Sequence, residues 1–205
     1  MREEFEDPGL AGWRVDSAGG QARVSDSVLH LEEKPGGETR FPLLWRNDAF
    51  PADSDFVVEI RFRFSRVTPY GVTIGLGSRF YDGTRYFEEG PPVPGIEDIL
   101  SIHHFDESFH ILLLGQVVWE GRPGDEQWHD VRLAQERGKY ILSVDAVERA
   151  RIAASLRAVS TFLGNPAIER YTGPWTWLDV DYLRVSQCAA WSRSISYLPL
   201  LLKAP

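Results

Sequence analysis

The sequence predicts an all-β domain, built as a sandwich or a barrel. Apolar and polar side chains alternate in many short segments, which is the period of a half-buried strand. Turn-forming sequences such as KPGG, ERGK and GNP separate these segments. Roughly a dozen such segments follow one another at short spacing, a pattern typical of sandwiches and barrels.

The clearest strand is DFVVEIRFRFS (55–65), in which aromatic and aliphatic side chains from Phe56 to Phe64 alternate with charged ones. The remaining predicted strands, in sequence order, are ARVS (22–25), VLHLEE (28–33), RFPLLW (40–45), YGVTIGLGS (70–78), DILSIHHF (98–105), FHILLLG (109–115), QVVWE (116–120), WHDVRLAQE (128–136) and YILSVDA (140–146). The segment ERARIAASLRA (148–158) fits either a short helix or a strand followed by a loop.

The sequence WTWLDVDYLRV (175–185) presents a conflict of register. Leu178 and Val180 belong to one face of a regular strand, whereas Leu183 and Val185 belong to the other. Either a β-bulge between the two pairs places all four in one core, or both faces of the strand are covered. We therefore predict a bulge or bend within 178–183, and a closing strand rather than an active site.

Composition argues against several classes of protein. The formal net charge of −8 opposes binding to phosphate backbones, so we expect no nucleic-acid partner. Cys188 is the single cysteine, which leaves no internal disulfide and no Cys/His zinc site. No run reaches the roughly 18 apolar residues of a membrane span. Nucleophile and phosphate-binding motifs such as G-x-S-x-G and the P-loop are absent.

Two segments depart from the strand pattern. The stretch 78–97 is rich in aromatic residues, glycine and proline, and fits a binding loop, a disordered loop or a loop packed on its own sandwich. We expect one domain over residues 1–186 and a C-terminal tail over 187–205. The tail packs along an exposed groove or swaps onto a neighbouring molecule, or it is a linker or anchor region of a longer exported polypeptide. The acidic start MREEFEDPGLAGW is not a signal peptide, so the protein is cytoplasmic or its export signal lies outside this sequence.

Several motifs, in this order along the sequence, resemble the concanavalin A-like lectin/glucanase superfamily, which includes laminin-G modules. They are EEFEDPGLAGWRV with VSDSVLHL, DFVVEIRFRF, WHDVRL with KYILSVDA, FLGNP, and WLDVDYLRV. The resemblance covers about residues 3–186 and implies a jelly-roll sandwich of two antiparallel sheets. It also implies a carbohydrate site on the concave sheet, although function varies within this fold.

The resemblance further implies a structural calcium ion. In the glucanases of the superfamily the aspartate of the closing strand helps to hold calcium, and Asp181 is the matching residue here. Backbone carbonyls around Asp7 and Ser27 would complete the site. The alternative is that Asp181 forms hydrogen bonds at the edge of the sandwich. The mid-sequence E.D..E triplet of the glucanases is absent, which argues against their catalytic machinery.

We therefore expect a non-catalytic carbohydrate-binding module of an exported bacterial protein, secreted or at the cell surface; a cytoplasmic location stays open. The alternatives are a glycoside hydrolase and a protein-interaction module without a sugar site. Aromatic rings stack on sugars, while arginine and histidine bond hydroxyl groups. The candidate ligand-binding residues are Trp45, Arg61, Arg63, Tyr81, Tyr86, His103 and Trp119. Among the histidines, His110 could pair with His103 or His104 across a hairpin.

Overall fold

The computed structural model describes residues 10, 12–17, 20–33, 41–51, 54–65, 72–87, 94–105, 108–121, 126–168 and 177–187. Within these residues the regular secondary structure is all β. The strands are β1 (Arg14–Asp16), β2 (Gly20–Ser25), β3 (Val28–Glu33), β4 (Leu43–Asn47), β5 (Phe56–Phe64), β6 (Val72–Gly77), β7 (Tyr86–Phe87), β8 (Leu100–Phe105), β9 (Ser108–Leu113), β10 (Gln116–Gly121), β11 (His129–Glu136), β12 (Lys139–Val144), β13 (Val147–Ala153), β14 (Ser160–Gly164), β15 (Ala167–Ile168) and β16 (Trp177–Gln187).

Fourteen of these strands form two antiparallel sheets of seven. The first sheet has the spatial order β1-β4-β14-β6-β8-β9-β10, and the second has the order β13-β12-β11-β5-β16-β3-β2. The two remaining strands, β7 and β15, form a short parallel pair. The all-β jelly-roll sandwich of two antiparallel sheets is therefore confirmed.

The main core lies between the inner faces of the two sheets. Strand β5 shows how the sequence builds it, because its five alternating apolar side chains are at most 5% exposed. The polar side chains between them, Glu59, Arg61 and Arg63, are only half-buried and lie on the outer face. This is the alternation that the sequence predicts for a strand with one buried face.

The closing strand β16 contains the predicted bulge. Its register against β5 shifts between Val180 and Tyr182. As a result Leu178, Val180 and Leu183 are all fully buried, although a regular strand would place them on opposite faces.

The ambiguous segment 148–158 is a strand followed by an irregular connection. Strand β13 pairs with β12, and the amide of Ala154 then donates to the carbonyl of Gly138. Within the described residues, no helix is long and apolar enough to cross a membrane. The predicted tail lies outside the described residues, apart from Gln187 at the end of β16.

A second, smaller core covers part of the outer face of the first sheet. This minor core consists of Leu43, Trp45, Tyr81, Ile96 and Phe162. Residues 78–87 of the aromatic loop lie across it, and Tyr81 is fully buried there. This described part of the loop therefore packs on the sandwich, which is one of the possibilities that the sequence leaves open.

Candidate ligand-binding site

A cavity of about 350 Å³ opens at the β1–β4 edge of the first sheet, beside the minor core. Its volume is at the lower end of the range for small-molecule sites. It lies between the end of β4, the turn before β1 and the aromatic loop. Its lining residues are Gly12, Arg14, Trp45, Arg46, Asn47, Asp48, Phe80, Tyr81 and Asp82. We refer to it as the edge pocket.

The aromatic loop is held against β4 by the side chain of Asn47. Its Nδ2 donates to the carbonyl of Tyr81 at 2.8 Å, and its Oδ1 accepts from the amide of Tyr81 at 2.9 Å. Gly83 has a φ of +86°, and a Cβ atom there would lie 2.3 Å from the Trp45 ring. Glycine thus allows the loop to lie directly on the indole, which fixes one wall of the edge pocket.

Arg85 anchors the other end of this loop. Its Nε donates to Asp16 Oδ2 at 2.8 Å, and its Nη1 donates to the carbonyls of Phe41 and Asn165, both at 2.9 Å. The Arg85 side chain is 5% exposed, and its charge is compensated by Asp16. Arg85 therefore acts as a structural clamp and is not available to a ligand.

Aromatic side chains form one side of the edge pocket. The rings of Trp45 and Tyr81 meet edge-to-face, with 5.8 Å between their centroids. Phe80 differs from both, because it is 66% exposed at the pocket. An exposed aromatic ring beside a polar cavity is the arrangement that stacks on the apolar face of a sugar.

Charged groups form the other side of the pocket. Arg14 lies opposite Trp45 in the β1–β4 register and is exposed. Arg46 is half-buried, and its guanidinium passes close to Gly12, where a Cβ atom would lie 3.2 Å from Arg46 Cζ. Burial lowers the pKa of Arg46 from its ordinary value. Asp48 and Asp82 add two carboxylates to the lining.

A separate polar cluster lies on the outer face of the first sheet, on β6 and β8. Ser101 Oγ donates to Glu97 Oε2 at 3.3 Å and is also hydrogen-bonded to His103 Nε2. His103 Nδ1 lies 3.2 Å from Thr73 Oγ1. Since Ser101 has only one hydroxyl proton, these bonds fit a neutral His103 that donates from Nε2 and accepts at Nδ1.

The electrostatics of this cluster agree with its hydrogen bonds. Burial, with a smaller effect of His110, lowers the pKa of His103 to about 4. Burial also raises the pKa of Glu97, while the hydrogen bond from Ser101 acts in the opposite direction. His103 lies opposite His110 in the β8–β9 register, which is one of the two pairings across the hairpin that the sequence leaves open.

The predicted site residues do not form one cluster. Trp45 and Tyr81 line the edge pocket, whereas His103 belongs to the polar cluster. Trp119 packs on Phe109, with 4.5 Å between the ring centroids.

Arg61 and Arg63 lie on the outer face of the second sheet. Their guanidinium groups stack on the Trp128 ring, at 5.6 and 4.7 Å from its centroid. For Tyr86 the structure describes only the backbone, in β7, and its side chain lies outside the described residues.

The aspartates of the closing strand have separate partners. Asp179 accepts from His30 Nδ1 at 2.7 Å and from Arg63 Nε at 2.9 Å, and it is 4% exposed. Asp181 is half-exposed, and its Oδ2 lies 3.6 Å from Arg61 Nε. The predicted calcium ligand therefore has a cationic neighbour. Asp7 lies outside the described residues, within which no group of three potential metal ligands occurs.

The comparisons with known proteins address the fold. No protein-family model matches the sequence, and no curated protein matches it. A solved sialidase structure aligns with a TM-score of 0.59 at 12% identity, covering 92% of this chain and 18% of the sialidase. The exoplasmic/lumenal domain of VIP36, in a form bound to Ca²⁺ and Man3GlcNAc, aligns with a TM-score of 0.56 at 11% identity, covering 89% and 87%.

A third similar structure is the alginate lyase AlgAT5 of polysaccharide lyase family 7, with a TM-score of 0.52 at 9% identity and 82% of each protein covered. The chain thus has the concanavalin A-like sandwich fold, as the motifs in its sequence imply. At these identities the likeness concerns the fold alone. The chain spans about a fifth of the sialidase, so it corresponds to one part of that larger protein.

Proposed function

We propose that this protein is a carbohydrate-binding β-sandwich module that binds a glycan in the edge pocket without cleaving it. The observation that carries the proposal is the exposed ring of Phe80 beside a polar cavity. A sugar presents an apolar ring face and a rim of hydroxyl groups. Phe80 offers a surface for the former, while Arg14 and Asp48 offer a donor and an acceptor for the latter.

The fold supports this proposal in a general way. The VIP36 domain with the same fold was solved with a glycan, and sialidases and alginate lyases act on glycans. The exoplasmic/lumenal origin of the VIP36 domain agrees with a secreted or cell-surface location, which we propose for this protein as part of an exported polypeptide. These parallels support a glycan as the class of ligand, and the edge pocket is the binding site that we propose for it.

A glycan array followed by calorimetric titration of the best ligand tests the proposal. Covering the Phe80 ring stabilises a complex by about 1.5 kcal/mol or more, so Phe80→Ala is expected to weaken binding about tenfold. Leu156→Ala is the matched control, because Leu156 is an exposed apolar side chain that does not line the pocket. Equal affinities of the two variants would remove the edge pocket from the proposal. If no glycan binds at all, a protein-interaction module becomes the better description.

The polar cluster favours one second candidate, a glycoside hydrolase. Glu97 lies at one end of a hydrogen-bonded relay through Ser101 to His103, and its raised pKa suits a general acid. A hydrolysis assay on every glycan that binds tests this candidate. Release of reducing ends by the wild type, lost in Glu97→Gln, would establish it. Binding without release supports the non-catalytic module.

A further inference from the structure

Arg46 is a half-buried cation without a partner among the residues that the structure describes. Arg85 provides the contrast, because its side chain is 5% exposed but has Asp16 and two carbonyl groups around it. Arg46 lines the edge pocket instead, and burial lowers its pKa without a compensating carboxylate. A charge removed from water costs free energy unless an opposite charge or hydrogen bonds replace the water.

From this, we propose that the edge pocket selects a carboxylated sugar, whose carboxylate binds Arg46 and Arg14. This inference rests on the proposed function and names its ligand class. A guanidinium group presents a planar fork of N–H donors that matches a carboxylate. The Gly12 turn lies against the Arg46 guanidinium and confines it at the pocket wall.

The two aspartates of the pocket refine the class of ligand. Among the residues that the structure describes, Asp48 forms no ion pair with Arg14 or Arg46, and Asp82 Oδ1 accepts from the amide of Thr84. Carboxylates accept hydrogen bonds from hydroxyl groups, which a bare anion lacks and a sugar has. They also repel a second negative charge. The lining therefore fits a sugar ring with one carboxylate better than a phosphate dianion.

The net charge of −8 opposes an acidic polysaccharide at long range. At physiological ionic strength this repulsion is screened over about 8 Å. The charged groups that line the pocket therefore determine the affinity for an acidic sugar. Carboxylated sugars occur both as uronates within polysaccharides and as sialic acids at the termini of glycans. The pocket chemistry is the same for both, so the experiment contains an arm for each.

Calorimetry with two matched ligand pairs tests the inference. One pair is trigalacturonate and its fully methyl-esterified form, and the other is 3′-sialyllactose and lactose. We expect the wild type to bind the carboxylated ligand of at least one pair at least about tenfold more tightly than the uncharged ligand, because a charge-assisted hydrogen bond contributes a difference of this size. Arg46→Gln is expected to abolish that preference, and Arg46→Lys to restore it in part, because lysine keeps the charge and loses the fork.

Arg23→Gln is the control, since Arg23 is exposed on β2 of the other sheet. Melting curves of all variants confirm that each is folded. Equal binding of both members of each pair, with Phe80→Ala still weakening it, would overturn the inference and leave the proposed function standing. Binding of no glycan would refute the proposed function itself. A preference that persists in Arg46→Gln would also refute the assignment of Arg46.

Discussion

The buried ion pair of Asp179 leads to a quantitative prediction about stability. Asp179 is 4% exposed and accepts hydrogen bonds from both His30 and Arg63. Asp179→Ala leaves both donors without their acceptor. Loss of one member of a buried pair costs about 3–5 kcal/mol, and the 35% exposure of the Arg63 side chain reduces this to about 2–3 kcal/mol.

Chemical denaturation measures this loss directly as the free energy of unfolding. Asp181→Ala is the internal control on the same strand, because Asp181 is half-exposed and 3.6 Å from Arg61. Exposed pairs of this kind contribute roughly 0.2–1 kcal/mol. For a domain of this size, the larger loss corresponds to a melting temperature about 5–10 °C lower. Equal stabilities of the two variants would refute the reasoning, as would a loss of glycan affinity in Asp179→Ala without a loss of stability.

Two further predictions concern pH and calcium. The pKa of His103 is lower in the folded protein than in the unfolded protein. Its contribution to the free energy of unfolding is therefore present above about pH 6.5 and is lost as the pH falls towards 4. The loss amounts to at most about 3 kcal/mol. The raised pKa of Glu97 acts in the opposite sense above 4.5, so the pH profile of His103→Asn, compared with the wild type, isolates the histidine. A structural calcium ion at Asp181 would make the melting temperature fall on chelation, and Asp181→Asn would remove that response. If a chelator leaves the melting curve of the calcium-loaded wild type unchanged, the protein holds no structural calcium ion.

Much of the fold follows from local patterns in the sequence. The alternation in β5 predicts its buried face. The opposed apolar pairs of β16 predict a bulge, because a register shift brings both pairs into one core, and the structure contains that shift. The window 148–158 is ambiguous from sequence, since a short apolar spacing of four residues fits a helix. Pairing with β12, a tertiary interaction, decides it in favour of a strand.

The candidate site is less accessible to sequence analysis. Trp45 and Tyr81 are predictable as aromatic residues near turns, and both line the edge pocket. Arg14 lines the same pocket because β1 pairs with β4. The sequence of a strand of only three residues does not predict that pairing. The polar run after Trp45, with Arg46 and Asn47, is a local signal for the end of a strand that carries polar side chains. For Arg61 the sequence predicts that the side chain lies on the outer face of its strand, but it does not predict which of the two sheets contains that strand.

An NMR titration with the best glycan ligand tests the central claim most directly, because it reports which surface the ligand contacts. We expect amide shift changes confined to the edge pocket, at Gly12, Arg14, 45–48 and 80–82. The outer face of the second sheet, around Arg61 and Arg63, is expected to stay unchanged. Shift changes centred on that second face, or on the polar cluster at His103 with the edge pocket unaffected, would contradict the account.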